Sequence, residues 1–127
     1  MTDYLDLDDV VALAREFLGD PPPIRDLGLL ASAVGRPAAT AFGIDAYPDL
    51  WTKAAALMQS LVVNDALIDG NERLGWIGAV TFLGINGVPV ADVDVDAAET
   101  LVLDIATGRA RDVDAIADRL RPLLEAK

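Results

Sequence analysis

Residues 65–73 read Asp-Ala-Leu-Ile-Asp-Gly-Asn-Glu-Arg, and this stretch decides the fold because it separates two long apolar segments. Asp-Gly-Asn is a tight-turn sequence, and Glu72 suits the first turn of a following helix. The amides of such a helix start, together with Asn71, can bind an anion, most often phosphate. Asp69 can hold Mg²⁺, and Arg73 can grip phosphate oxygens. We therefore expect a phosphate-binding turn between two helices.

Hydrophobic periodicity predicts about six helices in a compact all-α bundle. They cover approximately residues 8–18, 26–34, 49–64, 72–85, 96–107 and 113–126. Residues 38–48 lack this periodicity and contain Gly43 and Pro48, so we expect a loop or short hairpin there, a flap between the second and third helices. The third helix should be the longest. The fourth is apolar nearly all round, which predicts that it forms the buried centre of a single domain, residues 1–127.

Composition narrows the function classes. The chain has no cysteine and no histidine, which excludes serine–histidine and cysteine–histidine mechanisms as well as cysteine metal sites. No apolar run reaches the ~20 residues that a membrane span needs, and the first residues do not resemble a signal peptide. We expect a soluble, cytoplasmic protein. A net charge of −11 argues against nucleic acid and favours a partner with a positively charged segment.

The residues that carry this chemistry also resemble a known family. Asp65-x-x-x-Asp69-Gly70-Asn71-Glu72-Arg73 resembles the core motif of the Fic/Doc family in its death-on-curing (Doc) branch, which typically reads His-x-Phe/Leu-x-Asp-Gly-Asn-Lys-Arg. Residues 4–7, 24–37, 54–61 and 82–87 also look like Doc sequences. The resemblance covers nearly the whole chain and implies a compact, all-α Fic/Doc-like bundle.

The resemblance implies a biochemical setting. Fic-type proteins transfer part of a nucleotide to a hydroxyl on a target protein, whereas Doc-like toxins phosphorylate translation elongation factor Tu. A helical segment of a cognate antitoxin usually restrains them. An active member would use Mg²⁺ and ATP or another nucleoside triphosphate. The flap aligns the target, which implies target-binding roles for Phe42, Gly43 and Tyr47.

Carried onto this chain, the family motif assigns a role to each residue. Asp69 corresponds to the metal ligand, Gly70 and Asn71 to the anion hole, and Arg73 to the phosphate clamp. Asp65 stands where the catalytic histidine belongs, and Glu72 stands where Doc proteins carry lysine. The last two positions depart from the pattern.

Both departures weaken the predicted chemistry. An aspartate can act as a base, because protein kinases use one to accept a hydroxyl proton, but Asp65 is shorter than histidine. Glu72 replaces a positive charge with a negative one beside a polyphosphate, and a like-charge contact at ~4 Å costs on the order of 1 kcal/mol in water. We expect a catalytically impaired homologue that acts by binding an antitoxin-like segment or an active relative. The alternatives are an active Mg²⁺-nucleotide-dependent protein kinase or nucleotidyltransferase that uses Asp65 as its base, and a pocket for a small molecule.

Simpler interpretations of the same residues compete with these roles. Asn71 can serve as a helix cap and Arg73 as a surface ion-pair partner. Phe42 and Tyr47 can pack within their loop instead of anchoring a peptide. Asp92, Asp94 and Asp96 alternate in a way that could suggest a metal site, but we expect a solvated face with Asp96 starting a helix. We expect Trp51 and Trp76 to be core or interface residues.

Overall fold

A computed structural model describes residues 1–90 and 92–125 of the chain. These residues form six α-helices: α1 Leu7–Leu18, α2 Leu27–Gly35, α3 Leu50–Val63, α4 Asn71–Ile85, α5 Val95–Ala106 and α6 Val113–Leu124. A 3-10 helix, Arg36–Ala38, and an antiparallel hairpin of β1 Thr40–Ala41 and β2 Ile44–Asp45 join α2 to α3. The all-α bundle and the flap between the second and third helices are therefore confirmed. The predicted end of the last helix, at residue 126, lies outside the described residues.

Aspartate side chains begin five of the six helices that the described residues form. The N-cap residues of α1, α2, α3, α5 and α6 are Asp6, Asp26, Asp49, Asp94 and Asp112, and each side chain accepts a hydrogen bond from an amide in the first turn. Such a cap satisfies an amide that has no partner within the helix. Asp94 is the N-cap of α5, so the prediction that Asp96 starts this helix is wrong.

The central helix is α3, and the prediction that α4 forms the centre is wrong. α3 packs against α2, α4, α5 and α6, and its three consecutive alanines at 54–56 are fully buried. α4 buries one face, which includes Phe82 and Leu83, but leaves Trp76 and Ile77 only partly buried. A sequence that is apolar all round gives no means to tell a core face from an apolar face that lines a groove. α4 is also one residue longer than α3, with 15 residues against 14.

Two glycines let α4 approach α3 closely. A Cβ atom added to Gly75 would lie 2.5 Å from a methyl group of Val62 and 3.2 Å from the carbonyl oxygen of Met58. A Cβ added to Gly78 would lie 2.7 Å from a methyl group of Leu61. We call this contact the glycine seam. It fixes the start of α4, and thus the turn that precedes it, relative to the core.

None of the helices among residues 1–90 and 92–125 combines the length and the apolar character required to cross a membrane.

Candidate functional site

The loop between α3 and α4 is tied to the segment that precedes α2. The amides of Arg25 and Asp26 both donate to the carbonyl oxygen of Ala66, at 2.8 and 3.0 Å. The amide of Ile68 donates to the carbonyl oxygen of Pro23 at 2.8 Å, and Ala66 and Leu67 are buried. These bonds place the loop against a second chain segment, so its side chains are held at a defined position.

Gly70 forms the turn into α4. Its φ of +89° lies in the left-handed region, and an added Cβ would lie 2.9 Å from both terminal methyl groups of Leu18. Only glycine fits this position without strain, because it lacks the Cβ that causes both problems. The side chain of Leu18, at the end of α1, therefore packs directly against the predicted anion-binding turn.

The side chain of Asn71 stabilises the loop and does not cap the helix. The N-cap of α4 is Gly70, with no capping side chain, so the interpretation of Asn71 as a cap is wrong. The Asn71 amide group instead accepts from the amide of Leu67 at 3.0 Å and donates to the Leu67 carbonyl at 3.1 Å and to Asp65 Oδ1 at 3.2 Å. Any contribution of Asn71 to an anion hole therefore comes from its backbone amide.

A small cavity of about 320 Å³ lies at the start of α4. Its lining is residues 68–73, so the structure brings together Asp69, Gly70, Asn71, Glu72 and Arg73 as the sequence implied. The Gly70 amide donates to Asp69 Oδ1 at 2.9 Å, so the amides left for an anion are those of the first residues of α4. The first amides of a helix have no partner within it and carry a partial positive charge, which suits an anion. The exposed carboxylates of Asp69 and Glu72 stand at the same cavity.

Asp65 lies outside this lining and is held by two donors. Its Oδ2 is 3.0 Å from Nη2 of Arg25, and its Oδ1 accepts from the Asn71 side chain at 3.2 Å. The Arg25 guanidinium also donates to the Asp65 carbonyl. Asp65 has a φ of +56°, a left-handed conformation that aspartate tolerates better than most residues. Both oxygens of the carboxylate at the base position are thus engaged.

Sequence reasoning did not assign a role to Arg25. It is 40 positions from Asp65, in the segment before α2, and no local pattern links the two residues. The one available signal was its place in a stretch that resembles the Doc sequences. The pair is largely exposed, with 51% of the Arg25 side chain and 70% of the Asp65 side chain accessible. It therefore serves mainly to orient the two groups, since exposed ion pairs contribute little stability.

Arg73 contacts the end of α1. Its Nη2 donates to the carbonyl oxygen of Phe17 at 3.1 Å, in the last turn of that helix, where the helix dipole is negative. Among the described residues Arg73 forms no ion pair with a carboxylate, so its interpretation as a surface ion-pair partner is wrong. Arg73 is also one of the residues that line the cavity at the start of α4, which is where a phosphate clamp would act.

The flap is an exposed hairpin. Phe42 and Gly43 form its turn with φ of +54° and +77°, and the Phe42 ring is fully exposed. Tyr47 is different: its ring is partly buried, and its hydroxyl accepts from Nε of Arg36 at 2.9 Å. Of the three predicted flap residues, Tyr47 therefore packs within the loop, while Phe42 and Gly43 stand free at the tip.

A groove that the sequence did not predict runs from the same site along α4 and α5. Its volume is about 680 Å³, and its lining is mostly apolar: Trp76, Ile77, Val90, Val93, Val95, Ala98, Val102 and Leu103, together with Glu72, Arg73 and Glu99. Trp76 therefore lines an accessible surface. Glu72 and Arg73 belong to both linings, so the groove and the cavity at the start of α4 adjoin at these two residues.

A magnesium ion fits Asp69 only together with a nucleotide. No group of three or more carboxylates close enough to hold a metal is found among residues 1–90 and 92–125, including the aspartates at 92, 94 and 96. Mg²⁺ in nucleotide sites is bound through one or two carboxylates, substrate phosphates and water. Asp69 is exposed at the cavity and could supply such a carboxylate. Phosphates would have to supply further ligands.

The helical bundle, the flap and the Asp-Gly-Asn turn before α4 together define one class of protein. The sequence pattern of the Fic/DOC family matches residues 4–83, and the chain belongs to this family. The chain is also 54% identical to "Toxin Doc" of Mycolicibacterium smegmatis over 121 residues, which are 94% of this chain and 92% of that protein. This similarity confirms the predicted membership of the death-on-curing branch.

Proposed function

We propose that this chain is a Doc-like homologue of toxin–antitoxin type whose catalysis is impaired and which acts by binding a protein partner. The observation that carries the proposal is the state of Asp65, the residue in place of the family base. Arg25 and Asn71 engage both oxygens of its carboxylate. A general base needs an oxygen or nitrogen within hydrogen-bond reach of the hydroxyl that it deprotonates. Each carboxylate oxygen can accept a second hydrogen bond, but a target hydroxyl would have to approach along the direction that Arg25 and Asn71 leave open.

The charge at the anion cavity supports the same conclusion. Glu72 lines the cavity where the family pattern has lysine, and Asp69 adds a second carboxylate. Arg73 is the cation of this lining, and its guanidinium already donates a hydrogen bond to the Phe17 carbonyl. A triphosphate would therefore meet two negative side chains and one positive one. Mg²⁺ at Asp69 would offset both carboxylates in number, but Glu72 would still place a negative side chain beside the phosphates where the family pattern has a positive one.

The proposed partner is a helical segment of antitoxin type that lies in the groove between α4 and α5. An apolar groove accepts the apolar face of an amphipathic helix. Its polar lining residues are Glu72, Glu99 and Arg73, and the whole chain has a charge of −11. Basic residues beside the apolar face of the segment would complement this surface. A segment in this groove would also reach the anion cavity through Glu72 and Arg73.

Calorimetric titration tests the loss of nucleotide binding. ATP and then the other nucleoside triphosphates, each with Mg²⁺, are titrated into the wild-type protein and into Asp65→His/Glu72→Lys. We expect no heat of binding for the wild type and measurable binding for the double variant, because the double variant restores both family residues. A triple variant that adds Asp69→Asn is the matched control, and it should bind more weakly if Asp69 holds the metal.

One result would contradict the proposal, and a second would change its explanation. Tight binding of a nucleotide by the wild type would favour the alternative of an active transferase that uses Asp65 as its base. Transfer of a labelled phosphoryl or nucleotidyl group from that nucleotide to a protein hydroxyl would then establish the activity. A double variant that still binds nothing would mean that more of the site than positions 65 and 72 has diverged.

A further inference from the structure

Lys53 is a buried cation in the first turn of the central helix. Its side chain is only 2% accessible. The next three residues, 54–56, are alanines, and the rest of the helix is mostly apolar. Its Nζ lies 3.1 Å from Oδ2 of Asp45 in β2 and also donates to the carbonyl oxygen of Tyr47. The amine thus joins α3 to the far strand of the flap and to the loop that follows it.

The flap has few other contacts that could fix its position. Both strands are exposed, and Phe42 at the tip contributes nothing to the core. At its base, the amide of Ala46 donates to the Ala39 carbonyl at 2.9 Å. A two-stranded hairpin is marginally stable by itself, so contacts with the core decide where it lies.

A second cation holds the Tyr47 side of the flap. Arg36, which follows α2, donates to the Tyr47 hydroxyl and lies 5.5 Å from the centre of its ring. Its Nη1 donates to Oε1 of Gln59 at 2.7 Å and to Oγ of Ser60 at 2.9 Å, and both residues lie on α3. Arg36 holds the tyrosine, whereas Lys53 bonds to a strand of the hairpin itself.

We propose that Lys53 is a positioning residue that fixes the flap against α3. An apolar residue of similar size would fill the same space without the cost of removing a charge from water. We therefore assign the charge at position 53 a role in binding the Asp45 carboxylate and the Tyr47 carbonyl. The flap edge is held in one place before any partner arrives, so a partner does not have to pay for ordering it. This use rests on the proposed protein-binding function, but the position of the flap can be measured without a partner.

Hydrogen exchange in the Lys53→Met variant tests the proposal. Methionine has a similar shape and no charge, so it should leave the helical core intact and release the hairpin. We expect the amide of Ala46 to exchange about tenfold faster than in the wild type, which corresponds to about 1.4 kcal/mol. Amides in the middle of α3 and α4 should keep their protection, and the urea midpoint should not fall.

Asp45→Asn provides a second and different perturbation. It should also speed the exchange of the Ala46 amide, but it should lower the urea midpoint as well, because Lys53 then remains buried without its carboxylate partner. Asp118→Asn, which removes an exposed carboxylate from α6, is the matched control and should change neither quantity.

Either of two outcomes would overturn the proposal. An unchanged exchange rate for Ala46 in Lys53→Met would show that the flap keeps its position without the cation. Loss of the native state in both Lys53→Met and Asp45→Asn would show that the pair maintains the whole fold and has no separate role at the flap. The nucleotide titrations do not enter this test, so its failure is distinct from failure of the proposed function.

Discussion

At the scale of single residues, Gly70 gives the sharpest prediction. Its left-handed conformation and the 2.9 Å approach of Leu18 both oppose a larger residue. We expect Gly70→Ala to lower the free energy of unfolding by about 2 kcal/mol, because a non-glycine residue in this conformation costs about 1–3 kcal/mol before any clash is counted. Urea unfolding followed by circular dichroism measures the change.

Gly84→Ala is the matched control for this change. Gly84 is an exposed helical residue of α4, and an added Cβ would meet no atom within 4 Å. It should stabilise the protein by about 0.5–1 kcal/mol, since alanine loses less backbone entropy than glycine in a helix. Equal effects of the two substitutions would show that the turn at Gly70 adapts to a side chain.

The residues of the site divide into those that the sequence could predict and those that it could not. Asp69, Gly70 and Arg73 are neighbours in the chain, so a motif alone places them at one helix start. The bond between Arg25 and Asp65 joins residues 40 positions apart, and it depends on how α2 packs. Lys53 was hidden for another reason: one cation in an apolar helix predicts an exposed side chain unless its partner in the flap is known.

At the scale of elements, the glycine seam between α3 and α4 should be the least tolerant contact. Gly75→Ala would place a methyl group 2.5 Å from Val62 and 3.2 Å from the Met58 carbonyl, which belongs to the backbone and cannot move alone. We expect a loss of about 1–3 kcal/mol in the free energy of unfolding, the usual cost of overpacking a core. Gly78→Ala should cost less, because its close contact is the flexible end of Leu61.

Urea midpoints of the two variants and of the wild type provide this measurement. A wild-type midpoint for Gly75→Ala would mean that the two helices can separate without loss, and that the seam does not set the position of α4.

The bounds of the helices could be predicted to within one or two residues where the structure describes them. Aspartate caps, glycine and the triple proline at 21–23 are local signals, and they act on the backbone nearby. The identity of the central helix could not be predicted. Burial of α3 comes from its contacts with four other helices, whereas α4 uses part of its apolar surface to line a groove.

At the scale of the whole molecule, charge and the apolar groove together predict the kind of partner. With 21 acidic and 10 basic side chains, the protein should attract a cationic helix and repel an anionic one. A helical peptide with leucines at i, i+3, i+4 and i+7 and lysines beside them is a suitable probe, and its glutamate counterpart is the control. We expect the lysine peptide alone to change the fluorescence of Trp76, measured in a Trp51→Phe background.

Two leucine variants locate the binding surface. Leu103 lines the groove and is 51% accessible, and Leu27 on α2 is 52% accessible but lies outside the lining. Leu103→Asp should weaken peptide binding roughly ten- to hundredfold, because a buried leucine is worth about 1.5–3 kcal/mol. Leu27→Asp should have no effect. Equal loss in both variants, or equal binding of both peptides, would contradict the proposed groove.

The contrast between the exposed motif residues and the buried seam has an evolutionary consequence. Asp65 and Glu72 face solvent, whereas Gly75 and Gly78 are enclosed by the core. Substitutions at exposed positions without special backbone conformation or contacts usually change stability by less than about 0.5 kcal/mol, so selection for folding opposes a change at Glu72 only weakly. A lineage that no longer needs the reaction can therefore change its chemistry almost without penalty while its architecture is preserved.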